Sequence, residues 1–466
     1  MGEFVGVDPA NLRELAVRLQ RLHAVLARYG PGMQQKMQKW GSGLDYTALP
    51  RLLDEALNDA RDMEARTSRA SELAARAAGG VDAPPHHVPA AAATVELDWT
   101  ASGHSAHQAG HDAGTLDAAL AAGPERADAR THQVRESLVR HLNDGSYLGA
   151  FWAGACPLAL RAARSLARRA GAAMFSAESA GILRALGASL ASATQMRKGT
   201  GKDRRPLMSD ETRAAIIGHD DLWSVAMLFK YGPRGNAWDS HFLAEMVRAV
   251  LDARAAGALD VPLPEPTEDN AARLARLRAE FDPVVAVLGR ASENGHAARH
   301  VLGCPVTGPS YAAMLLNDDD GGGRPAPGEG PGLGGPVGDF LTAAVSAGRG
   351  VTEDAKESAW SVVTIVRAGS EFGDRRPGAA LPDGIRAALA FTADRYLPDL
   401  AAPGPGNEAR PPAGSPPGSW TPHVAEADLA RFVHHAFPDP RDAAAFLARV
   451  AEHRAGRGPD PGIVGG

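Results

Sequence analysis

The chain has 466 residues, a formal net charge of −6 and 44% hydrophobic residues, with aromatics at only 5%. That length suits about two to four domains, and an apolar content made largely of Ala, Leu and Val favours close-packed helices over sheets. The acidic balance and scattered Lys and Arg exclude nucleic acid as the main partner.

Asp8 to Ala78 reads as an antiparallel helical hairpin. Asp8 precedes Pro9, a capping side chain followed by a residue suited to the first helical turn. Leu12, Leu15, Leu19, Leu22, Leu26, Tyr29 and Met33 recur at alternating spacings of three and four, which holds one apolar stripe on one side of a helix. A stripe this narrow needs a partner helix. Gly30-Pro31-Gly32 is expected to break the helix, because proline lacks a donor and clashes with the preceding turn. A short piece from Met33 to Lys39 then leads to a turn at Trp40-Gly41-Ser42-Gly43. The return arm carries Leu49, Leu53, Ala56, Ala60, Met63, Thr67, Ala70 and Leu73, with Asp62 and Arg66 placed to pair across one turn.

Two helices joined at a Trp-Gly turn resemble the hairpins of WXG and LXG proteins, the substrates of ESX-type (type VII) secretion in Gram-positive bacteria. Ser42 stands where that family has its glycine, and no Tyr-x-x-x-Asp/Glu export signal occurs between Arg69 and Ala92. The resemblance implies a protein partner, or homo- or hetero-oligomerisation, held by helical packing through the seam and turn: Leu12, Leu15, Leu19, Leu22, Leu26, Trp40 and Gly41. It also implies synthesis in the cytoplasm followed by export.

Beyond the hairpin the expected organisation is all-α: a multi-helix array punctuated by Pro/Gly-rich linkers. Helical regions are expected over 94–198, 207–316 and 337–402, with C-terminal helices over 423–457, separated by linkers at 79–93, 199–206, 318–336 and 403–422. Trp99 is expected to open the first helix, and Tyr147 to Arg169 is the most apolar segment. Ser176 looks like an N-cap. Tyr231-Gly232-Pro233 marks a break, and Thr267 is expected to cap a helix through Leu277. Asp282-Pro283 and Asp439-Pro440 repeat the start device of Asp8-Pro9. Thr352, followed by Glu353 and Asp354, marks another helix start, and Thr421 or Pro422 is expected to begin the helix of Leu429, Phe432 and Val433. No alternating run is long enough for a convincing sheet. The longest uncharged run, Gly145 to Leu160, is shorter than the ~20 residues of a membrane span and contains Pro157. Met1-Gly2-Glu3-Phe4 lacks the basic start and apolar block of a signal peptide. From about Trp99 to Leu447 the chain also resembles the large helical region of uncharacterised actinobacterial proteins that begin with a WXG-like hairpin. Tyr147-Leu148-x-x-Phe151-Trp152, the Asn294 to Val301 helix and Arg395-Tyr396-Leu397-Pro398-Asp399-Leu400 carry that likeness, which implies no particular activity.

Several runs mimic enzyme motifs. Ala177-Glu178-Ser179-Ala180-Gly181 resembles a nucleophile elbow, but such an elbow needs a preceding strand, and Ser176 as a cap explains the run better. His104, His107 and His111 share one helix side, yet tetrahedral zinc geometry is hard to reach from a single face. His296 and His300 are four apart without the glutamate of a zincin, and Gly201-Lys202-Asp203 lacks the upstream glycine of a P-loop. Cys156 and Cys304 make no Cys-x-x-Cys pair and are expected as small core residues. No cofactor motif is found. The leading expectation is a non-enzymatic helical interaction or scaffold protein, a type VII-associated substrate or effector-delivery module. Two readings stay open beside it: a hydrolase through Ser179 or a metal enzyme through the three histidines, and a cytoplasmic helical scaffold with no secretion link.

Overall fold

The computed structural model describes residues 4–39, parts of 60–74, 94–98, 103–122, 124–170, 175–198, 205–263, 267–317, 334–347, 349–402, 406–411 and 420–456. It is predominantly helical, as the composition and periodicity require. The contacts divide it into two compact units, Met1–Leu158 and Ala159–Gly466. The punctuation near 200 and 320 falls inside the second unit.

In the first unit, helix α1 runs Pro9–Lys39. Asp8 Oδ1 accepts the Ala10 amide at 2.8 Å, as the cap-then-proline device predicts. The expected break at Gly30-Pro31-Gly32 does not occur: α1 passes through all three residues. Proline removes one donor from the ladder, but the carbonyl it orphans belongs to Ala27, on an exposed stretch where water can satisfy it. Helix formers on both sides, Leu26-Ala27-Arg28 and Met33 to Lys39, then favour continuation. The Trp40-Gly41 turn and most of the return arm lie outside the described residues.

Sheet structure appears where none was expected. β1 (Phe4–Val7) pairs antiparallel with β2 (Val95–Asp98), Val7 opposite Val95. Both strands are short and lack long alternation, so only the tertiary pairing reveals them. Val7, Leu12, Ala70, Ala74 and Val95 form one apolar cluster, with Met63 and Leu73 packed against it. Helices α2 (Gly103–Ala121), α3 (Pro124–Arg140) and α4 (Gly145–Ala170) complete the unit's described part, and its boundary falls within α4. Buried Asp112 of α2 ties them together: its Oδ2 accepts the Tyr147 hydroxyl at 2.7 Å and the Ser137 hydroxyl, and its Oδ1 accepts Gln108 Nε2 at 2.9 Å. Tyr147 stacks between His141 and Phe151, with centroids 4.3 and 6.0 Å away. The Tyr-Leu-x-x-Phe-Trp run is therefore a core element.

The second unit holds α5 (Ala177–Gln195), α6 (Asp210–Ile217), α7 (Leu222–Tyr231), α8 (Ser240–Ala255), α9 (Ala271–Glu280), α10 (Pro283–Ser292), α11 (Gly295–Leu302) and α12 (Gly308–Asn317). After these come α13 (Gly334–Ala344), α14 (Glu353–Arg375), α15 (Asp383–Arg395), α16 (Leu397–Leu400), α17 (Glu426–Ala436) and α18 (Pro440–Arg454). Start signals read from the sequence cap α5, α10, α14 and α18 through Ser176, Asp282, Thr352 and Asp439. Two expected starts are displaced. Thr267 belongs to a turn in which its amide donates to Asn270 Oδ1 at 2.6 Å, and α9 begins at Ala271. Thr421–His423 is a strand, β6, paired with β5 (Glu408–Arg410), so the following helix begins at Glu426. A further ladder joins β3 (Arg197–Lys198) to β4 (Arg205–Pro206). α10 packs on α7, α8 and α13, and α14 packs on α11, α12 and α17. Where helices touch most closely, glycine is the contact residue: a Cβ at Gly338 of α13 would lie 2.2 Å from the Gly384 carbonyl oxygen of α15.

Candidate functional site

The leucines expected to bind a partner lie on α1, and the structure separates its apolar residues into two lines. Leu12 and Ala16 are buried, and Leu19 and His23 are half-buried. Leu15, Leu22 and Tyr29 are 41%, 49% and 55% exposed, joined by Val25 at 53%. At 3.6 residues per turn Leu15, Leu22 and Tyr29 lie about 60–100° round the helix from Leu12, and Val25 about 140°. The apolar stripe is thus wider than the face that α1 buries among the described residues. Leu15, Leu22 and Tyr29 recur every seven residues, a ridge that drifts by only about 20° per heptad along a helix, the spacing a supercoiling partner helix follows. The side chain of Leu26, together with Trp40 and Gly41, lies outside the described residues.

The motif-like runs are disposed of locally. Ser179 stands in the first turn of α5, where its amide donates to Ser176 Oγ at 3.1 Å and its hydroxyl accepts from Ser176 at 3.1 Å. That is a cap, with the nucleophile role unsupported. His107 and His111 are exposed on α2, and the side chain of His104 lies outside the described residues. Among the described residues no group of three His, Cys, Asp or Glu side chains could hold a metal ion, and no helix is long and apolar enough to cross a membrane.

A site that the sequence reading missed lies in the second unit, in a cavity of about 210 Å³ between α11, the turn after it, and α14. His300, Cys304 and Pro305 line one side, and Lys356, Glu357 and Trp360 the other. Gly303 lets α14 come this close, since a Cβ there would lie 2.5 Å from the Glu357 carbonyl oxygen. His300 Nδ1 meets Glu357 Oε1 at 2.8 Å, and its ring stacks on His241 at 4.1 Å. With Glu357 ionised, that contact places the imidazole proton on Nδ1. Glu357 Oε2 is buried with no hydrogen-bond partner among the described residues. Lys356 pairs with Glu353 at 2.8 Å and lies over the Trp420 ring at 5.2 Å.

The two cysteines differ. Cys156 is buried, and burial pushes its thiol up to about 11. Cys304 was expected in the core but is half-buried and lines the cavity. Burial raises its thiol, yet hydrogen bonds from the Thr307 side chain and from the Thr307 and Val306 amides, with the field of Arg248, outweigh it and hold the thiol below its ordinary range. The local sequence carries a usable signal: Cys304-Pro305-Val306-Thr307 is a turn into α12, closed by the Gly308 amide donating to the Cys304 carbonyl at 2.8 Å. Such a turn aims free amides at the first side chain, much as helix N-termini meet anions. His296 and His300, read as a zincin fragment lacking its base, instead reach Asp354 and Glu357 of α14 at 3.0 and 2.8 Å.

Comparison of the chain with protein-family models, with curated proteins and with solved structures finds no match.

Proposed function

We propose that this chain is a non-enzymatic helical interaction protein that takes up a partner helix along α1, and that it serves as a substrate or delivery module of a type VII-like secretion system. One observation carries the reading: the heptad-spaced apolar ridge of Leu15, Leu22 and Tyr29 stands exposed beside the buried line of Leu12 and Ala16. Isolated exposed leucines are ordinary, whereas a heptad-spaced row along a helix of about 47 Å is the pattern a second helix reads. Further support comes from the order of contacts between α1 and residues 60–74. Gln20 Nε2 donates to Glu64 Oε2 at 3.3 Å, whereas Leu12 clusters with Ala70 and Ala74, an antiparallel order.

The test places a photo-activated cross-linker at position 22 of the full chain in cells. A cross-link to another polypeptide is expected, lost when Leu15 and Tyr29 are both changed to Glu. A reporter at 22 that captures nothing, or a partner retained by the double variant, would sink the reading. Fractionation of cells with and without a working secretion machine separates the exported form from a resident cytoplasmic scaffold, in which the ridge binds its partner but the chain never leaves.

A further inference from the structure

We propose that the helix taken up along α1 is acidic and comes from a different polypeptide, with carboxylates set against Arg18, Arg21 and Arg28; this deepens the partner-helix reading of α1 and rests on it. The charge on α1 runs against that of the chain. The whole sequence carries a formal net charge of −6. Yet the exposed charged side chains described on α1 are Arg13, Arg18, Arg21 and Arg28 against a single carboxylate, Glu14. Glu14 is spent within the helix, paired with Arg18 one turn on. Arg21 and Arg28 meet no carboxylate among the described residues, and Arg28 lies over the Tyr29 ring at 5.4 Å.

Helical geometry places these cations along the ridge. At about 100° per residue, Arg18 falls between Leu15 and Leu22 as Val25 falls between Leu22 and Tyr29. Leu15, Arg18, Leu22, Val25 and Tyr29 thus form one exposed seam with the alternating spacing of a coiled coil. Glu14, Arg21 and Arg28 each precede a ridge residue and line the seam's outer border, the row from which flanking charges select a partner. The opposite border is the buried line of Leu12 and Ala16, beyond which Gln20 reaches Glu64. Among the described residues, segment 60–74 therefore meets α1 on the side away from Arg18, Arg21 and Arg28. From Leu15 to Tyr29 the seam is about 21 Å long, about four turns of a partner helix.

Like charges disfavour a second copy as the occupant. In a parallel pair Arg18 would stack on its own equivalent within the seam, and in an antiparallel pair the row of Arg21 and Arg28 would face itself. An anionic lipid surface also fits less well. A helix lying in a membrane interface buries a broad apolar face, whereas here an arginine interrupts the seam and the adjoining apolar line is covered by the protein itself.

The experiment titrates the full chain with three synthetic helical peptides of about three heptads, followed by fluorescence anisotropy. They share one leucine seam and carry Glu, Gln or Lys at the flanking positions. The Glu peptide is expected to bind about tenfold more tightly than the Gln peptide at low salt, and the Lys peptide more weakly than either. That advantage should fall below about twofold at about 0.5 M salt. Arg21→Glu with Arg28→Glu should invert the order, so that the Lys peptide binds best. Equal binding of the three peptides overturns the acidic partner while leaving the apolar ridge standing. Binding of none overturns it too, and the cross-link at position 22 then decides the ridge separately. Dimerisation at low salt that Leu15→Glu with Tyr29→Glu abolishes would give the ridge to a second copy. Binding to phosphatidylserine vesicles without binding of the Glu peptide would give it to a membrane, and either result overturns the proposal. Should the charge-reversed chain fail to fold, the peptide series and salt dependence of the unaltered chain still decide.

Discussion

Buried polar residues concentrate the risk in this fold. Asp112 is fully buried and accepts the hydroxyls of Ser137 and Tyr147 besides the Gln108 amide. Burial, and then the nearby carboxylates, push the Tyr147 hydroxyl well above its ordinary range, so it remains a donor. Asp112→Ala would strand those donors in a dry site. The expected loss is about 3 kcal/mol, read as a lower urea midpoint, with Asp112→Asn losing less. In the second unit Arg164 grips Asp221 with two parallel hydrogen bonds of 2.8 and 2.7 Å, while Asp221 also caps α7. Burial raises the Asp221 carboxyl, but Arg164 and Ser224 outweigh it and hold the group below the usual carboxylate range. A carboxylate depressed in the folded state contributes stability that is complete above its unfolded value of about 3.9. That contribution is lost as the pH falls through the lower folded value. Arg164→Ala should therefore cost about 2–3 kcal/mol at pH 7 and flatten the acid limb of a stability-against-pH curve.

Among the elements, helix contacts are set by what is missing from side chains. Gly338 and Gly384 face each other across α13 and α15, and a Cβ on either would strike backbone: 2.2 Å from the Gly384 carbonyl oxygen in one case, 2.4 Å from that of Gly334 in the other. Backbone yields less readily than the tip of a side chain. Gly338→Ala is expected to force the two helices apart and lower stability by about 2–3 kcal/mol in thermal or urea unfolding. A substitution at Gly289, which has open space around its Cβ position, should by comparison be nearly neutral. Close approach also builds the cavity: with Gly303 under the Glu357 backbone, α14 brings its acidic and aromatic side chains over Cys304.

For the whole molecule, the two candidate surfaces have opposite characters. The α1 ridge is apolar and exposed. Leu15→Glu with Leu22→Glu should therefore leave the unfolding midpoint within about 0.5 kcal/mol of the parent, while lowering association measured by light scattering or cross-linking. The cavity beside Cys304 is concave and mixes charged side chains with an apolar wall, built from α11, the turn after it and α14 within one unit.

Periodicity and capping chemistry are local properties, and for that reason they were legible in the chain alone. The helical class, the starts at Pro9, Ala177, Pro283, Glu353 and Pro440, and the apolar line on α1 all follow from residues within a few positions of one another. The same local rules erred at Pro31, which sits inside a helix because its neighbours are helix formers, and erred again where distant partners intervene: Val95–Asp98 becomes a strand only because Phe4–Val7 lies beside it, and Thr421–His423 pairs with Glu408–Arg410 instead of opening a helix. Which edge of the α1 stripe is covered, and that His300, Cys304 and Glu357 share one cavity, were decided by tertiary packing. A sequence states what each residue can do with its neighbours along the chain. Only the closing of helices from far along the chain determines which groups end up facing one another and which are left facing water.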